Sequence, residues 1–333
     1  MQASPPLLSV RHLRTVFATR RGTVAAVDDV SIDIGRGEIL ALLGESGCGK
    51  SVTALSLMGL IPTRLGYVEG GQVEFNGRDV TQLGKDDLRQ LRGGDMAMIF
   101  QEPMSSLNPV LTVGRQVAEA MLCHAKCSPA EVRDRVVQLF REVGITEPAR
   151  RYDSYPHELS GGMCQRIMIA MALSCDPQLL IADEPTTALD VTVQQQILDL
   201  LHDLRTRRNM AVLLITHDLG VVAENADRVA VMYLGKVVEQ APVHELFLAP
   251  AHPYTEGLLA AMPELDSGSG PLPSIPGTVP DLHARPAGCG FAPRCPYADQ
   301  RCHDAPPALT QLSATRSVRC WKPLTVTTTM GTA

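Results

Sequence analysis

No apolar run in this 333-residue chain reaches the roughly 18 residues that a membrane-spanning helix needs. The chain itself is not expected to cross a bilayer. Met1 to Pro6 lacks the basic segment and apolar stretch of a secretory leader, so a cytoplasmic location is expected. Basic residues are not in excess: 30 Lys and Arg face 36 Asp and Glu, a net charge of −6. That balance argues against a chain built mainly to grip nucleic-acid backbones. No internal repeat is visible. Hydrophobic residues at 45% and charged residues at 20% exclude wholesale disorder. The length suits one large domain and a small one.

The nine cysteines are odd in number and unevenly placed, which does not suggest a disulfide framework in a cytoplasmic chain. Cys48, Cys123, Cys127, Cys164 and Cys175 are scattered, whereas Cys289, Cys295, Cys302 and Cys320 gather near the end. Of the 24 prolines, 11 follow Met262. Both shifts place a boundary near residue 263, separating residues 1–262 from residues 263–333.

The first part reads as α/β. Leu7 to Leu13 and Val24 to Ile34 are expected to be antiparallel strands, Glu38 to Leu43 a buried strand, and Ser51 to Leu60 a helix. Gly71 to Phe75 and Asp95 to Phe100 are further strands. Residues 112–175 form a helical insertion: Thr112 to Cys123, Ser128 to Val143 with Ser128 as N-cap, and Met163 to Ser174. Leu179 to Ala182, Val212 to Ile215 and Val229 to Met232 are strand-length apolar runs, with a helix over Val193 to Leu204. That alternation predicts a mainly parallel sheet. Tyr233 to Lys236 predicts a turn into a last hairpin strand. Val243 to Phe247 and Tyr254 to Ala261 predict short helices. Pro263 to Pro286 reads as an extended linker.

Two segments carry chemistry. G-E-S-G-C-G-K-S at 44–51 has the Gly-x4-Gly-Lys-Ser pattern of a phosphate-binding loop, placed after a strand and opening a helix. Gly44, Gly47 and Gly49 let backbone N–H groups point at phosphate oxygens. The helix start adds a positive dipole end. Lys50 is expected to reach the β- and γ-phosphates, and Ser51 to bind Mg²⁺. The nucleotide-binding set is Gly44, Glu45, Ser46, Gly47, Cys48, Gly49, Lys50, Ser51 and Val52. A thiol at a helix start is expected to favour its thiolate, so alkylation of Cys48 is expected to block ATP binding. The second segment, L-L-I-A-D-E at 179–184, ends a buried strand in two acids. Asp183 is expected to hold the Mg²⁺ shell and Glu184 to activate the attacking water.

L-S-G-G-M at 159–163, ahead of Asp183, resembles the signature turn of ATP-binding cassette (ABC) proteins, with Met163 where Gln is commonest. Gln101 resembles that family's Q-loop, Ala188-Leu189-Asp190 its D-loop and His217 its switch histidine. The resemblance implies a P-loop ATPase core with an antiparallel β subdomain and a helical insertion. It also implies head-to-tail pairing of two cassettes. Ser160, Gly161 and Gly162 would touch the γ-phosphate bound by the partner, with Asp190 at the same junction. Gln101 and His217 would sense that phosphate, Gln101 also reaching Mg²⁺. The family usually stacks an aromatic ring on adenine; Phe17 is the nearest aromatic.

The tail cysteines read C-x5-C-x6-C-x17-C. Without a close Cys pair among them, an iron–sulfur cluster, zinc and incidental cysteines all stay open on chemistry alone. H-P-Y-T at 252–255, I-P-G at 275–277 and the cysteine tail resemble the C-terminal extension of oligopeptide and dipeptide importer ATPases. F-Q-E-P-M-S-S-L-N-P at 100–109 fits the same group. This resemblance implies a [4Fe–4S] cluster on Cys289, Cys295, Cys302 and Cys320. It further implies two membrane permease subunits, a second related ATPase subunit and an extracytoplasmic solute-binding protein. The chain would then sit peripherally on the cytoplasmic face of a bacterial inner membrane. The rival readings are a soluble ABC ATPase of DNA repair or translation, and a redox-sensing iron–sulfur protein. Against the first stand the lack of a coiled coil or zinc insertion between residues 100 and 160 and the single P-loop.

Overall fold

The computed structural model describes residues 5–102, 106–124, 127–187, 189–262 and 274–324. The strands are β1 (Leu8–Thr19), β2 (Gly22–Ile34), β3 (Ile39–Leu43), β4 (Gly66–Phe75), β5 (Arg78–Asp79), β6 (Met96–Ile99), β7 (Leu179–Asp183), β8 (Ala211–Thr216), β9 (Arg228–Tyr233), β10 (Lys236–Pro242), β11 (Thr310–Gln311) and β12 (Ser317–Val318). The principal helices are α1 (Lys50–Leu57), α2 (Lys85–Gly94), α3 (Val113–Cys123), α4 (Val132–Glu142), α5 (Gly161–Leu173), α6 (Val191–Arg208), α7 (Leu219–Asn225), α8 (Val243–Leu248), α9 (Pro253–Ala260) and α10 (Gln300–Asp304). Among the described residues no helix is long and apolar enough to cross a membrane.

The chain divides into two compact units. The first comprises the described residues of Met1–Leu8, Ile34–Ile39 and Glu74–Ile215. Here β6, β7 and β8 run parallel, with Ile99 opposite Ala182 and Asp183 opposite Ile215. Every residue of β7 is buried, as expected of a strand covered on both faces. The helical insertion is present. α3 packs on α4 and α5, and α5 also packs on β6. α4 begins at Val132, later than expected. Ser128 gives its N–H and hydroxyl to the Glu131 carboxylate (3.2 and 2.7 Å), so Ser128–Glu131 closes as a turn of its own.

The second unit comprises the described residues of Ser9–Asp33, Leu40–Val73 and Thr216–Ala333. β2, β1 and β4 lie side by side in one sheet. In another, β3 runs parallel to β9, which turns back antiparallel into β10. The β9–β10 turn is Leu234-Gly235 with φ of 46° and 80°, the doubly left-handed form that suits a two-residue hairpin. The tail belongs to this unit, so the compact division follows a different line from the compositional boundary near residue 263. β12 pairs antiparallel with β10, and β11 with β12. Arg316 meets Glu239 at 3.0 Å with both side chains buried. The Glu239 carboxylate also accepts from the Ala251 and His252 N–H groups at 2.8 and 2.9 Å, so this interior charge is fully partnered.

Behind this sheet His252 is wholly buried and desolvation pushes its pKa down to about 3. Its Nδ1 accepts the Tyr254 N–H at 3.0 Å and caps α9, which requires the neutral ring. The unfolded chain takes up this proton first as pH falls, so the contribution is intact above about pH 6.5 and is lost progressively below it. We expect the slope from this one group to approach about 1.4 kcal/mol per pH unit. Thermal melts between pH 7.5 and 5 check it: His252→Asn, which can still cap, should flatten the acid-side loss.

Candidate nucleotide site

The loop at 44–51 is shaped by its glycines. A Cβ on Gly49, φ 107°, would run into the carbonyl oxygen of Ala26. A Cβ on Gly44 would meet that of Met232. These approaches let the loop turn tightly out of β3, whose five residues are all buried. Lys50 is 6% exposed. Its ammonium donates to the carbonyls of Gly44 (2.7 Å) and Glu45 (3.2 Å), closing the loop on itself. The hairpin turn fastens the loop from outside through the Gly235 N–H on the Cys48 carbonyl at 2.8 Å. Ser46, Gly47 and Ser51 face solvent and Val52 is half-buried at the start of α1.

In the first unit Glu184 follows the end of β7. Its N–H donates to the Ile215 carbonyl at 2.9 Å, and its φ of 46° is left-handed. For a residue with a Cβ that conformation is strained, and such strain gathers at functional sites. It directs the carboxylate to Gln101 Nε2 (3.0 Å) and Thr187 Oγ1 (3.0 Å), both donating to Oε2. Gln101 and Glu184, 83 residues apart in sequence, therefore meet. Asp183 is buried at the strand's last position. Ser160 caps α5, its hydroxyl accepting the Met163 N–H at 3.3 Å, with Ser160 and Gly161 exposed and Gly162 half-buried. Gln165 of α5 donates to the Pro185 carbonyl and ties the signature helix to the turn after Glu184. Asp190 caps α6 through Val193 N–H at 3.0 Å; Ala188 lies outside the described residues.

With this geometry the similarity to known proteins is decisive. The sequence pattern of the ABC transporter family matches residues 27–187, and that of the oligopeptide/dipeptide transporter C-terminal region matches residues 238–302. The oligopeptide transport ATP-binding protein AppD of Bacillus subtilis is 50% identical over 95% of this chain and 96% of its own. The dipeptide transport ATP-binding protein DppD of Escherichia coli is 50% identical over 96% of this chain and 97% of its own. The chain belongs to the ABC transporter family. It is an ATP-hydrolysing subunit. Among solved structures, a dimeric ATP-binding cassette in a post-hydrolysis state with ADP and Pi superposes with a TM-score of 0.64 at 26% identity, covering 71% of this chain and 98% of that one.

One expectation for this ABC subunit changes, that for Cys48. Cys48 is 2% exposed, and burial pushes its thiol pKa up despite the nearby Lys50 charge. Desolvation outweighs the helix start, so Cys48 is not an activated thiolate. Phe17 lies half-buried on β1 against Gly66. His217 is exposed just past β8, and the next residue, Asp218, caps α7. In the tail, burial first and then the neighbouring thiols raise the pKa of Cys320, to about 11, and of Cys295. Cys289 is raised by burial and by Cys302. Trp321 donates to the Ala305 carbonyl at 2.9 Å, and the Arg301 guanidinium lies 3.7 Å from its ring centre.

Sequence reading missed the partners of Glu45. Its carboxylate takes two hydrogen bonds from Arg294, at 2.7 and 3.1 Å, and its N–H donates to Tyr254 Oη at 3.0 Å. Glu45 in turn holds the Arg294 guanidinium above its ordinary pKa.

Proposed function

We propose that this chain is the ATP-hydrolysing motor of an importer of di- or oligopeptides. The contact of Gln101 with Glu184 at a strained strand end, in a chain half identical to peptide-transport subunits, carries the reading. Gly44, Glu45, Ser46, Gly47, Cys48, Gly49, Lys50, Ser51 and Val52 receive the nucleotide phosphates, and Phe17 stacks on adenine. Lys50 meets the β- and γ-phosphates with its fixed charge. The Ser51 hydroxyl, Asp183 carboxylate and Gln101 amide are hard oxygen donors that suit Mg²⁺ and would hold it. When bound, Mg²⁺ neutralises charge on the phosphates. Glu184 accepts the proton of the attacking water, and Gln101 orients that carboxylate. Ser160, Gly161 and Gly162 offer an exposed helix start to the γ-phosphate held by a second cassette, with Asp190 beside that junction. His217 senses the same phosphate.

Cys289, Cys295, Cys302 and Cys320 hold a [4Fe–4S] cluster in this reading. The thiols sit within one another's electrostatic reach, yet among the described residues no three Cys, His, Asp or Glu converge as a single metal ion requires. Four thiols carried on one segment are the donor set that such a cluster uses. When bound, the cluster would supply thiolate–iron bonds that tie the tail together. The partners are two membrane permease subunits, a second related ATPase subunit and an extracytoplasmic solute-binding protein. The chain sits peripherally on the cytoplasmic face of a bacterial inner membrane.

Anaerobic purification from detergent-solubilised membranes tests both parts. Brown protein that brings down permease subunits is expected. Capture of ribosomal or DNA-repair proteins alone would defeat the importer reading, and a colourless protein with one zinc would defeat the cluster.

A further inference from the structure

Arg294 lies between Cys289 and Cys295 in the tail, and its side chain is 4% exposed. All of its nitrogens are engaged. Nε donates to the Pro276 carbonyl at 3.0 Å. Nη1 donates to Glu45 Oε2 at 2.7 Å and Tyr233 Oη at 3.5 Å. Nη2 donates to Glu45 Oε1 at 3.1 Å and the Ile275 carbonyl at 3.4 Å. A planar fork matched to a carboxylate fixes both the position and the orientation of its partner.

That partner is the second residue of the phosphate loop. Glu45 is held at three points: its N–H by Tyr254, its carbonyl by Lys50 and the Cys48 N–H, and its carboxylate by Arg294. A carboxylate is an unfavourable group in a loop that receives a polyanion, because like charges a few ångströms apart repel. Pairing with a cation cancels its charge and turns it away from the lysine and N–H groups the nucleotide needs. The cation comes from a residue 249 positions downstream, in the segment that carries the cysteines.

We infer that Arg294 is a positioning residue for ATP binding, through which the cysteine tail orients and neutralises Glu45 of the phosphate loop. This rests on the reading that Gly44–Ser51 takes the phosphates. Nucleotide affinity then depends on how the tail is folded around its cysteines. Hydrolysis depends on it less, since Gln101 and Glu184 are positioned by other elements.

The test is MgATP binding to the purified full chain by titration calorimetry, with thermal melts to establish folding. Arg294→Ala is expected to raise Kd about tenfold, one decade of affinity. Adding Glu45→Gln to Arg294→Ala is expected to bring Kd back to within about threefold of the wild type, because the uncompensated charge is gone. A packing role alone gives no such rescue. Should Arg294→Ala not fold, Arg294→Lys carries the test: it keeps the charge and loses the fork, so Kd should rise about threefold. Wild-type affinity in a folded Arg294→Ala or, in its absence, in Arg294→Lys, or a double variant as weak as Arg294→Ala, overturns the inference. Lys50→Ala run in parallel separates the two claims. If it leaves MgATP affinity unchanged, the phosphate-loop reading itself has failed.

Discussion

Replacing Glu184 by Gln is expected to stop turnover while leaving ATP binding in place. The amide keeps the size of the carboxylate, and its oxygen can still accept from Gln101 and Thr187, whose donors lie 3.0 Å from Oε2. What it lacks is basicity. A positioned general base contributes a factor on the order of 10²–10⁴, so kcat should fall about a thousandfold. Kd for MgATP should change by less than about threefold, since no phosphate-facing group is altered. On the proposed pairing of two cassettes, held together by the nucleotide until hydrolysis, the variant should accumulate as a closed, ATP-bound dimer on gel filtration. In the proposed pair with a second ATPase subunit, that subunit is disabled too, so that its own turnover does not mask the result. Wild-type hydrolysis in that doubly disabled pair would remove Glu184 from the chemistry.

Lys50→Ala is expected to act at the opposite step. Lys50 is both the loop's one buried cation and its internal brace, with its ammonium on the carbonyls of Gly44 and Glu45. Truncation removes the charge that meets the phosphates and loosens the ring of backbone that presents its N–H groups. Removing one side of a desolvated charge contact costs roughly 2–5 kcal/mol, so MgATP affinity should drop about a hundredfold or more. Calorimetry on the isolated chain measures this directly. The two variants thus separate: one binds and does not turn over, the other does not bind. If both lost binding equally, the division of labour between the phosphate loop and the β7 end would be wrong.

The local parts of this molecule were legible in the sequence. β3 with the loop at 44–51, β7 with Asp183 and Glu184, and Ser160 capping α5 are each a contiguous strand, turn or helix start. A few adjacent side chains determine them. The β9–β10 turn was legible for the same reason. What was hidden depends on distance along the chain. Nothing near Glu45 announces Arg294, and nothing near Glu239 announces Arg316, 77 positions away. Two short strands of the tail, β11 and β12, carry too few residues to show alternation. The expectation for Cys48 failed because a thiol's pKa follows burial, and burial is set by the packing of Met232, Gly235 and Tyr254 around the loop rather than by the loop's own sequence. α4 began late because Ser128 and Glu131 satisfied each other instead of capping a continuous helix.

These hidden contacts share a pattern. Arg285, Arg294, Arg316 and Arg319 of the tail each reach a carboxylate in the cassette: Asp28, Glu45, Glu239 and Asp29. Only Arg316–Glu239 is buried on both sides, and breaking that pair is far more damaging than never having it, so the tail is bound to the cassette by charge as well as by the β10–β12 pairing.

The most direct measurement is uptake of a labelled peptide into liposomes that hold the complex, with ATP on this chain's side and the solute-binding protein on the other. Uptake that requires ATP and disappears with Glu184→Gln, the second ATPase site being disabled in both samples or carrying the same change, is the expected result. Peptide uptake undiminished by that substitution, or vigorous ATP hydrolysis by an intact complex that moves no peptide, would contradict the assignment of this chain as the motor of peptide import.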